Sequence, residues 1–394
     1  MITVDEALSA CLALADPLPS EEISLTEANG RVLAQAVQAR RDQPPFAASA
    51  MDGYAVTAEA PQPGDRFTVI GEAAAGHVWD GQLGAGQAVR IFTGAPVPEG
   101  AARVIIQEDV TRDGDVITLG DRLDHQTNIR PAGGDFLTGD AIPAPRILRP
   151  ADLALAAAMN LPALPVTRKP VVALIATGDE LVQPGETPRP DQIVASNSYG
   201  LKALAEAAGA HARLLPIARD TVESLASTLK LATDADIIVT IGGASVGDHD
   251  LVAQVAAAEG LERSFYKVAL RPGKPLMAGR MGRAALLGLP GNPVSAMVCG
   301  QIFLVPMIRA MLGLGKAPAP RETAELAVDL PQNGPREHYM RAVLEPGSRY
   351  PRVTPDPRQD SALLSVLSRA DALMIYPAGA GPLDAGTLVD ILRI

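Results

Sequence analysis

Several short segments combine glycine, proline and charge in ways that suit a phosphate-bearing ligand. Gly242-Gly243-Ala244-Ser245-Val246-Gly247-Asp248-His249-Asp250 follows an apolar run, and its glycines allow backbone amides to approach an anion closely. It is not a Walker loop, because no GxxxxGK[ST] pattern follows. A second segment, Lys267-Val268-Ala269-Leu270-Arg271-Pro272-Gly273-Lys274-Pro275, gathers three cations. Strand alternation predicts that Lys267 and Arg271 share one side and face one anion. Carboxylates supply a third group: Asp52, Asp135, Glu180, Asp220, Asp248 and Asp250 all sit in turn-bounded segments. Acids beside an anion cradle repel the ligand unless a hard cation such as Mg²⁺ bridges them, so the clusters together imply a metal-assisted phosphoester or phosphoanhydride site.

Other chemistries lack their residues. The five histidines, His77, His125, His211, His249 and His338, form no HExxH or paired spacing for zinc, and no GxSxG elbow occurs. Cys11 and Cys299 provide neither a disulfide framework nor a CxxC pair.

The elements that position these residues follow from the apolar pattern. From 170 onward, apolar runs (171–176, 214–217, 237–241, 265–270, 284–287) alternate with helical stretches (201–208, 221–232, 250–259, 293–312), which predicts a doubly wound, largely parallel sheet. In such a sheet ligands bind beyond the strands' carboxyl ends, where the glycine loop, Thr177-Gly178-Asp179-Glu180, Arg219-Asp220 and Pro290-Gly291-Asn292-Pro293 all fall. Upstream, 4–15 and 149–160 read as helices, while 45–140 is turn-rich with short β-branched runs. After the Pro-rich stretch at 316–320, strands are expected at 323–329, 338–344, 372–376 and 388–393. The fold class is thus multidomain α/β plus β: an N-terminal helical domain (1–44 and 140–169), an inserted β domain (45–139), a central α/β domain (170–315) and a small C-terminal β domain (321–394). At 394 residues the chain exceeds the ~250–300 at which one core stops growing.

A net charge of −11 disfavours nucleic acid or an anionic membrane as partner. Acid near the N-terminus and the breaks at Gln301, Pro306 and Arg309 in the most apolar stretch argue against a signal peptide and a membrane span, so a cytoplasmic location is expected.

The ordered segments resemble one family. Pro44-Pro45-Phe46-Ala47-Ala48-Ser49-Ala50-Met51-Asp52-Gly53-Tyr54-Ala55 is similar to the entry motif of the molybdopterin molybdenumtransferases, a family that includes the carboxy-terminal domain of gephyrin. Arg90-Ile91-Phe92-Thr93-Gly94-Ala95-Pro96, Asn128-Ile129-Arg130 with Gly134-Asp135, Thr177 to Glu180, Ser196-Asn197-Ser198, Gly242 to Asp248, Arg271 to Pro275 and Leu289 to Ser295 match further motifs in the same order.

The resemblance implies a homodimer that inserts molybdate into adenylylated molybdopterin, hydrolysing the adenylate with Mg²⁺ to leave molybdenum cofactor and AMP. It implies polar functional roles for Asp52, Thr93, Asp135, Glu180, Asp220 and Asp250, with Glu180, Asp220 and Asp250 toward metal. Substrate contacts are carried over to Gly242, Gly243, Ser245, Gly247, Asp248, Lys267, Arg271, Lys274, Pro275, Pro290, Asn292 and Pro293. Arg341 and Ser361 of the last domain join them by strand position. Arg271 stands where the family often has Lys, adding a bidentate fork, and Gly134 stands where it often has Glu. Molybdopterin adenylyltransferase and acceptor molybdoenzymes are the implied transient partners. A non-catalytic pterin-binding scaffold and an adenylyltransferase are the competing readings.

Overall fold

The computed structural model describes residues 1–243 and 251–394. These divide into two compact units: Met1–Glu21, Gly30–Ala34 and Val166–Ile394 form the first, Glu22–Asn29 and Gln35–Pro165 the second.

The first unit is built on β1 (Val171–Ala176), α1 (Asn197–Ala207), β2 (His211–Leu214), α2 (Val222–Lys230), β3 (Ile237–Ile241), α3 (Leu251–Ala258), β4 (Leu261–Tyr266), β5 (Met277–Met281), β6 (Ala284–Leu289) and α4 (Pro293–Cys299). The sheet order is β2-β1-β3-β6-β5-β4. The pairs β1/β2, β1/β3 and β3/β6 are parallel, whereas β5/β6 and β4/β5 are antiparallel. β1 is apolar throughout, and β3 apart from Thr240, because both faces are covered. Val172 and Leu174 pack in one core with α4 and the N-terminal helix Val4–Ala13, while Ala173 and Ile175 point into the other with Leu225, Leu229, Val252 and Val255. The helix Val4–Ala13 starts with a reciprocal cap: the Thr3 amide donates to Glu6 Oε2 at 2.8 Å and the Glu6 amide to Thr3 Oγ1 at 3.2 Å.

Two sequence expectations change here. The run 265–270 is not one strand, because β4 ends at Tyr266 and Lys267 adopts φ +73°. Leu270–Arg271 then leaves to pair with Glu337–His338 of a different sheet. β5, whose glycine and arginine hid it in the sequence, forms a hairpin with β6 and makes that half of the sheet antiparallel.

An ion pair anchors the sheet's entry. Arg168 Nη1 and Nη2 reach the two oxygens of Asp236 at 2.9 Å each, and the Val171 amide donates to the same carboxylate at 2.8 Å. Burial pushes the Asp236 carboxyl up, but the Arg168 and Val171 hydrogen bonds outweigh it and hold the group below the usual range.

Beyond α4 the helix continues through a π-helical turn, Gly300–Leu304, to Val305–Met311. Pro293–Met311 is long and apolar enough to cross a membrane, yet 78% of its apolar window is buried within the fold, as in a core helix. The C-terminal strands form a sheet in the order Leu270–Arg271, Glu337–Glu345, Arg352–Pro355, Glu322–Leu326, Leu388–Arg393 and Ala372–Tyr376. Pairing of Glu337–Glu345 with Ala372–Tyr376 closes it into a small barrel around Leu326, Val353, Met374 and Ile391.

The second unit contains a six-stranded sheet, Arg103–Ile106, Gly53–Val56, Gln87–Ile91, Arg66–Ala73, Val116–Leu119 and Val110–Asp113 in spatial order. The part read from sequence as helical carries Pro150–Ala158 but also the short strands Ala141–Ile142 and Arg146–Ile147, too brief to show a period in the sequence.

Candidate functional site

A cavity of about 1050 Å³ opens at the carboxyl ends of β1, β3 and β6. This is where β1's neighbours lie in opposite crossover directions, the switch point at which open α/β sheets bind ligands. Thr177, Gly178, Glu180, Asp220, Gly242, Gly243, Pro290, Gly291, Asn292 and Pro293 line it on the strand side.

The loops meet at close quarters. Gly242 and Gly243 have φ of +95° and +67°. A Cβ on Gly242 would lie 2.8 Å from the Thr177 carbonyl oxygen, and one on Gly243 2.9 Å from Thr177 Oγ1. Both positions therefore require glycine for space and for conformation. The amide of Gly242 donates to Leu289 O at 3.0 Å, so it is spent on β6. That corrects the expectation of a continuous amide cradle starting at Gly242: this residue serves close approach rather than anion donation. Ser245, Gly247, Asp248 and Asp250, expected to complete the loop, lie outside the described residues.

Glu180 curls back over its own loop, its carboxylate 2.4 Å from where a Gly178 Cβ would be. Asp220 comes from the next loop, its amide donating to Asp179 Oδ1 at 3.2 Å. Ile193 and Val194, paired with Leu181 and Val182 just after Glu180, give the cavity an apolar wall and are themselves exposed at 59% and 42%. Asn197, at the start of α1, donates to Gly291 O at 2.7 Å and ties that wall to the β6 loop.

The C-terminal barrel contributes through one turn. Asn292 Nδ2 donates to Ser361 Oγ at 3.1 Å, and the Val294 amide to Ser361 O at 3.0 Å. Ala362 lines the cavity. Arg341 is fully buried and donates from Nη2 to Arg358 O at 3.2 Å and Asp360 O at 2.9 Å, fixing the turn that presents Ser361. Its Nε and Nη1 find no hydrogen-bond partner, an uncompensated donor pair in a buried place.

The basic segment is arranged otherwise than alternation predicts. With φ +73° at Lys267 the extended run is broken, so Lys267 and Arg271 do not share a strand face. The Lys267 ammonium sits 5.0 Å from the Tyr266 ring centroid, Arg271 is exposed, and Pro275 is the segment's contribution to the cavity lining. The Val268 amide donates to Lys274 O at 3.1 Å, so the segment doubles back on itself, with only Leu270–Arg271 held as a strand. Burial, then the charges of Arg271, Arg341 and Arg336, push His338 down to about 3, so its imidazole is neutral at physiological pH.

In the second unit Asp52 Oδ1 accepts from the Thr93 amide at 2.7 Å and the Thr93 hydroxyl at 2.8 Å. These bonds, with Arg90 behind them, hold the Asp52 carboxyl below the usual range. Arg90 lies between the Tyr54 and Phe92 rings, 5.0 and 4.7 Å from their centroids, and donates to Gln107 Oε1 at 2.6 Å. Gly53 is obligatory, since a Cβ there would fall 1.9 Å from Ile105 O. Asp135 is exposed and anchored through its amide to Gln43 O at 2.9 Å.

Comparison with known families covers nearly the whole chain. Residues 2–160 match the MoeA N-terminal region (domain I and II), 173–310 a probable molybdopterin binding domain, and 323–394 the MoeA C-terminal region (domain IV). A molybdopterin molybdenumtransferase of Nostoc sp. is 35% identical over 388 residues, spanning 95% of this chain and 89% of the relative. The chain belongs to the molybdopterin molybdenumtransferase family. A Haemophilus influenzae member is 32% identical across 99% of this chain and 98% of its own. The solved molybdopterin biosynthesis MoeA protein of Pyrococcus horikosii superposes with a TM-score of 0.84 at 28% identity, covering 100% of this chain and 99% of its own. Family membership makes the chain an enzyme of molybdenum cofactor biosynthesis, and all residues named in the cavity lining except Ala362 fall in the stretch that matches a probable molybdopterin binding domain.

Among the described residues no group of three or more His, Cys, Asp and Glu is assembled for a metal. Glu180 and Asp220 nonetheless place two carboxylates in the lining of this cavity. That donor set fits Mg²⁺, which is held by one or two carboxylates and completes its shell with water and phosphate. The sequence places Arg219 with Asp220 in a loop beyond a strand's carboxyl end without assigning it a role, marks Asn197 only within the Ser196-Asn197-Ser198 motif, and gives no signal at Ile193 and Val194. The sign of Arg219 was its place immediately before Asp220; the two aliphatic residues carry no chemical signature.

Proposed function

We propose that the chain inserts molybdate into adenylylated molybdopterin and hydrolyses the adenylate in an Mg²⁺-dependent step, yielding molybdenum cofactor and AMP. The observation that supports it is the presence of both Glu180 and Asp220 in the lining of a switch-point cavity formed mainly by the region that matches a probable molybdopterin binding domain. Glu180 and Asp220 would hold the ion, which when bound offsets charge between these carboxylates and the phosphate oxygens. Hydrolysis breaks one P–O bond of the anhydride; water's hydroxyl ends on one phosphate and a proton leaves to a base. Glu180, exposed in its loop, or Asp250 would orient that water.

Molybdate is a tetrahedral dianion that requires fixed donors. Arg341, with two unpartnered buried N–H positions beside the Ser361 turn, supplies such donors, and Lys267, Arg271 and Lys274 supply positive charge from the neighbouring segment. Asp52, Thr93 and Asp135 join the working set through the family resemblance. The protein acts as a cytoplasmic homodimer, receiving substrate from molybdopterin adenylyltransferase and passing product to molybdoenzymes.

The test is AMP release from adenylylated molybdopterin with Mg²⁺, with and without molybdate, for wild type, Glu180→Ala and Arg271→Ala. Molybdate-dependent release that collapses in both variants supports the reading. Binding without turnover by the wild-type chain overturns it in favour of a pterin-binding scaffold.

A further inference from the structure

We infer that Arg219 is a positioning residue that locks the Glu180 loop to the Asp220 loop and so sets the spacing of the two carboxylates; this rests on the metal role proposed for them. The parallel ladder of β1 and β2 continues past both strand ends, with Thr177 bridging Ala218 and the Gly178 amide donating to Ala218 O at 3.1 Å. Arg219 stands at the next position. The two hydrogens of its Nη1 are shared among three carbonyls, those of Asp179 at 3.1 Å, Leu181 at 3.2 Å and Gly178 at 3.4 Å. The remaining carbonyl of that loop, Glu180 O, accepts from the Ile193 amide at 2.8 Å. All four carbonyls from 178 to 181 are thereby engaged: the peptide unit before Glu180 cannot turn over without breaking a bond to Arg219, nor the one after it without breaking the bond to Ile193.

The same contact works in the other direction. Asp179 Oδ1 accepts from the Asp220 amide, which follows Arg219 directly, and the Arg219 amide donates to Ser224 Oγ at 2.9 Å. Arg219 is thus fixed at its backbone by α2 and at its guanidinium by the Glu180 loop. Asp179, Glu180 and Asp220 are three like charges on adjoining turns, an arrangement that spreads apart unless a cation counters it. A guanidinium is suited to this because its charge is permanent and its N–H geometry is rigid, whereas a lysine ammonium in the same place offers fewer fixed directions. Groups that hold metal ligands from behind commonly alter metal affinity by 10–100-fold when removed.

The experiment uses the full chain as wild type, Arg219→Gln, Arg219→Lys, Asp179→Ala, Glu180→Gln and Asp220→Asn. Mn²⁺ replaces Mg²⁺ and is titrated by electron paramagnetic resonance in the presence of AMP, alongside unfolding midpoints and the Mg²⁺ dependence of AMP release. The expected result is Mn²⁺ binding weakened on the order of tenfold in Arg219→Gln, part recovery in Arg219→Lys, and a smaller weakening in Asp179→Ala. The Mg²⁺ concentration for half-maximal release should rise in parallel. Unchanged Mn²⁺ affinity in Arg219→Gln overturns the inference, even when activity falls. If Arg219→Gln unfolds, Asp179→Ala decides, and wild-type affinity there also overturns it. Undiminished Mn²⁺ binding by Glu180→Gln and Asp220→Asn instead removes the metal reading of the site, a result separable from failure at Arg219 alone.

Discussion

At the residue scale, charged groups are governed by their immediate hydrogen bonds. Asp52 receives two bonds from one threonine, and the backbone bond precedes the hydroxyl in lowering its pKa. Replacing Thr93 with Val removes the hydroxyl bond and leaves the amide bond. The Asp52 carboxyl should then titrate part of the way back toward the ordinary aspartate value, as read by NMR titration. His338 illustrates the opposite case, a base kept neutral by burial and three arginines. Its folded pKa of about 3 lies below the unfolded value of about 6.5. Between those values the unfolded chain binds more protons, so this residue makes stability fall as pH drops through that window. His338→Gln should flatten the pH dependence of the unfolding free energy between about pH 6.5 and 3 by up to one proton, measured by denaturant titration. An unchanged slope overturns this assignment. Neither environment was legible in the sequence, where His338 was simply a histidine without a metal-ligand partner.

At the scale of elements, the strands β1 and β3 were legible because full burial forces a continuous apolar run, and loops after such strands collect the chemistry. β5 was not, since Gly279 and Arg280 interrupt its pattern; Gly279 is needed because a Cβ would meet Glu262 O of the neighbouring β4 at 2.4 Å. The Lys267–Arg271 stretch misleads for a related reason: composition favours a strand, but a left-handed residue at Lys267 hands Leu270–Arg271 to the barrel. The clamp between Arg168 and Asp236 joins the starts of β1 and β3. Asp236→Asn should lower the unfolding free energy by about 2 kcal/mol at neutral pH, from loss of charge-assisted bonds in a partly exposed pair. Because the folded carboxyl is depressed, the contribution is full above the unfolded value of about 3.9 and is lost as pH falls through the folded value. The difference between wild type and variant should therefore shrink in acid, which parallel denaturant titrations at pH 7 and pH 3 would check.

For the whole molecule, the two compact units interrupt one another in sequence: the chain enters the first, passes into the second, touches the first again at Gly30–Ala34, and returns for good at Val166. The N-terminal helix packs with the α/β core through Val4, Ala7, Leu8, Cys11 and Leu12. If the protein works as a homodimer, light scattering should give a solution mass of two chains at micromolar concentration. A monomer mass there overturns that part of the proposal.

Taken by itself, the sequence determined the alternation that makes the central sheet, the loops that carry its polar residues, and, through ordered motifs from Pro44 to Ser295, the family. Those features are local: burial on both faces dictates an apolar run, and a tight turn dictates glycine. Tertiary structure decided which charges meet. It spent the Gly242 amide on Leu289, set Asn292 against Ser361 from 69 residues away, buried Arg341 with two donors unpaired, and laid Arg219 across the Glu180 loop 38 to 41 residues earlier. Hydrogen bonds at such separations depend on how the strands are ordered in space, and no spacing along the chain encodes that order.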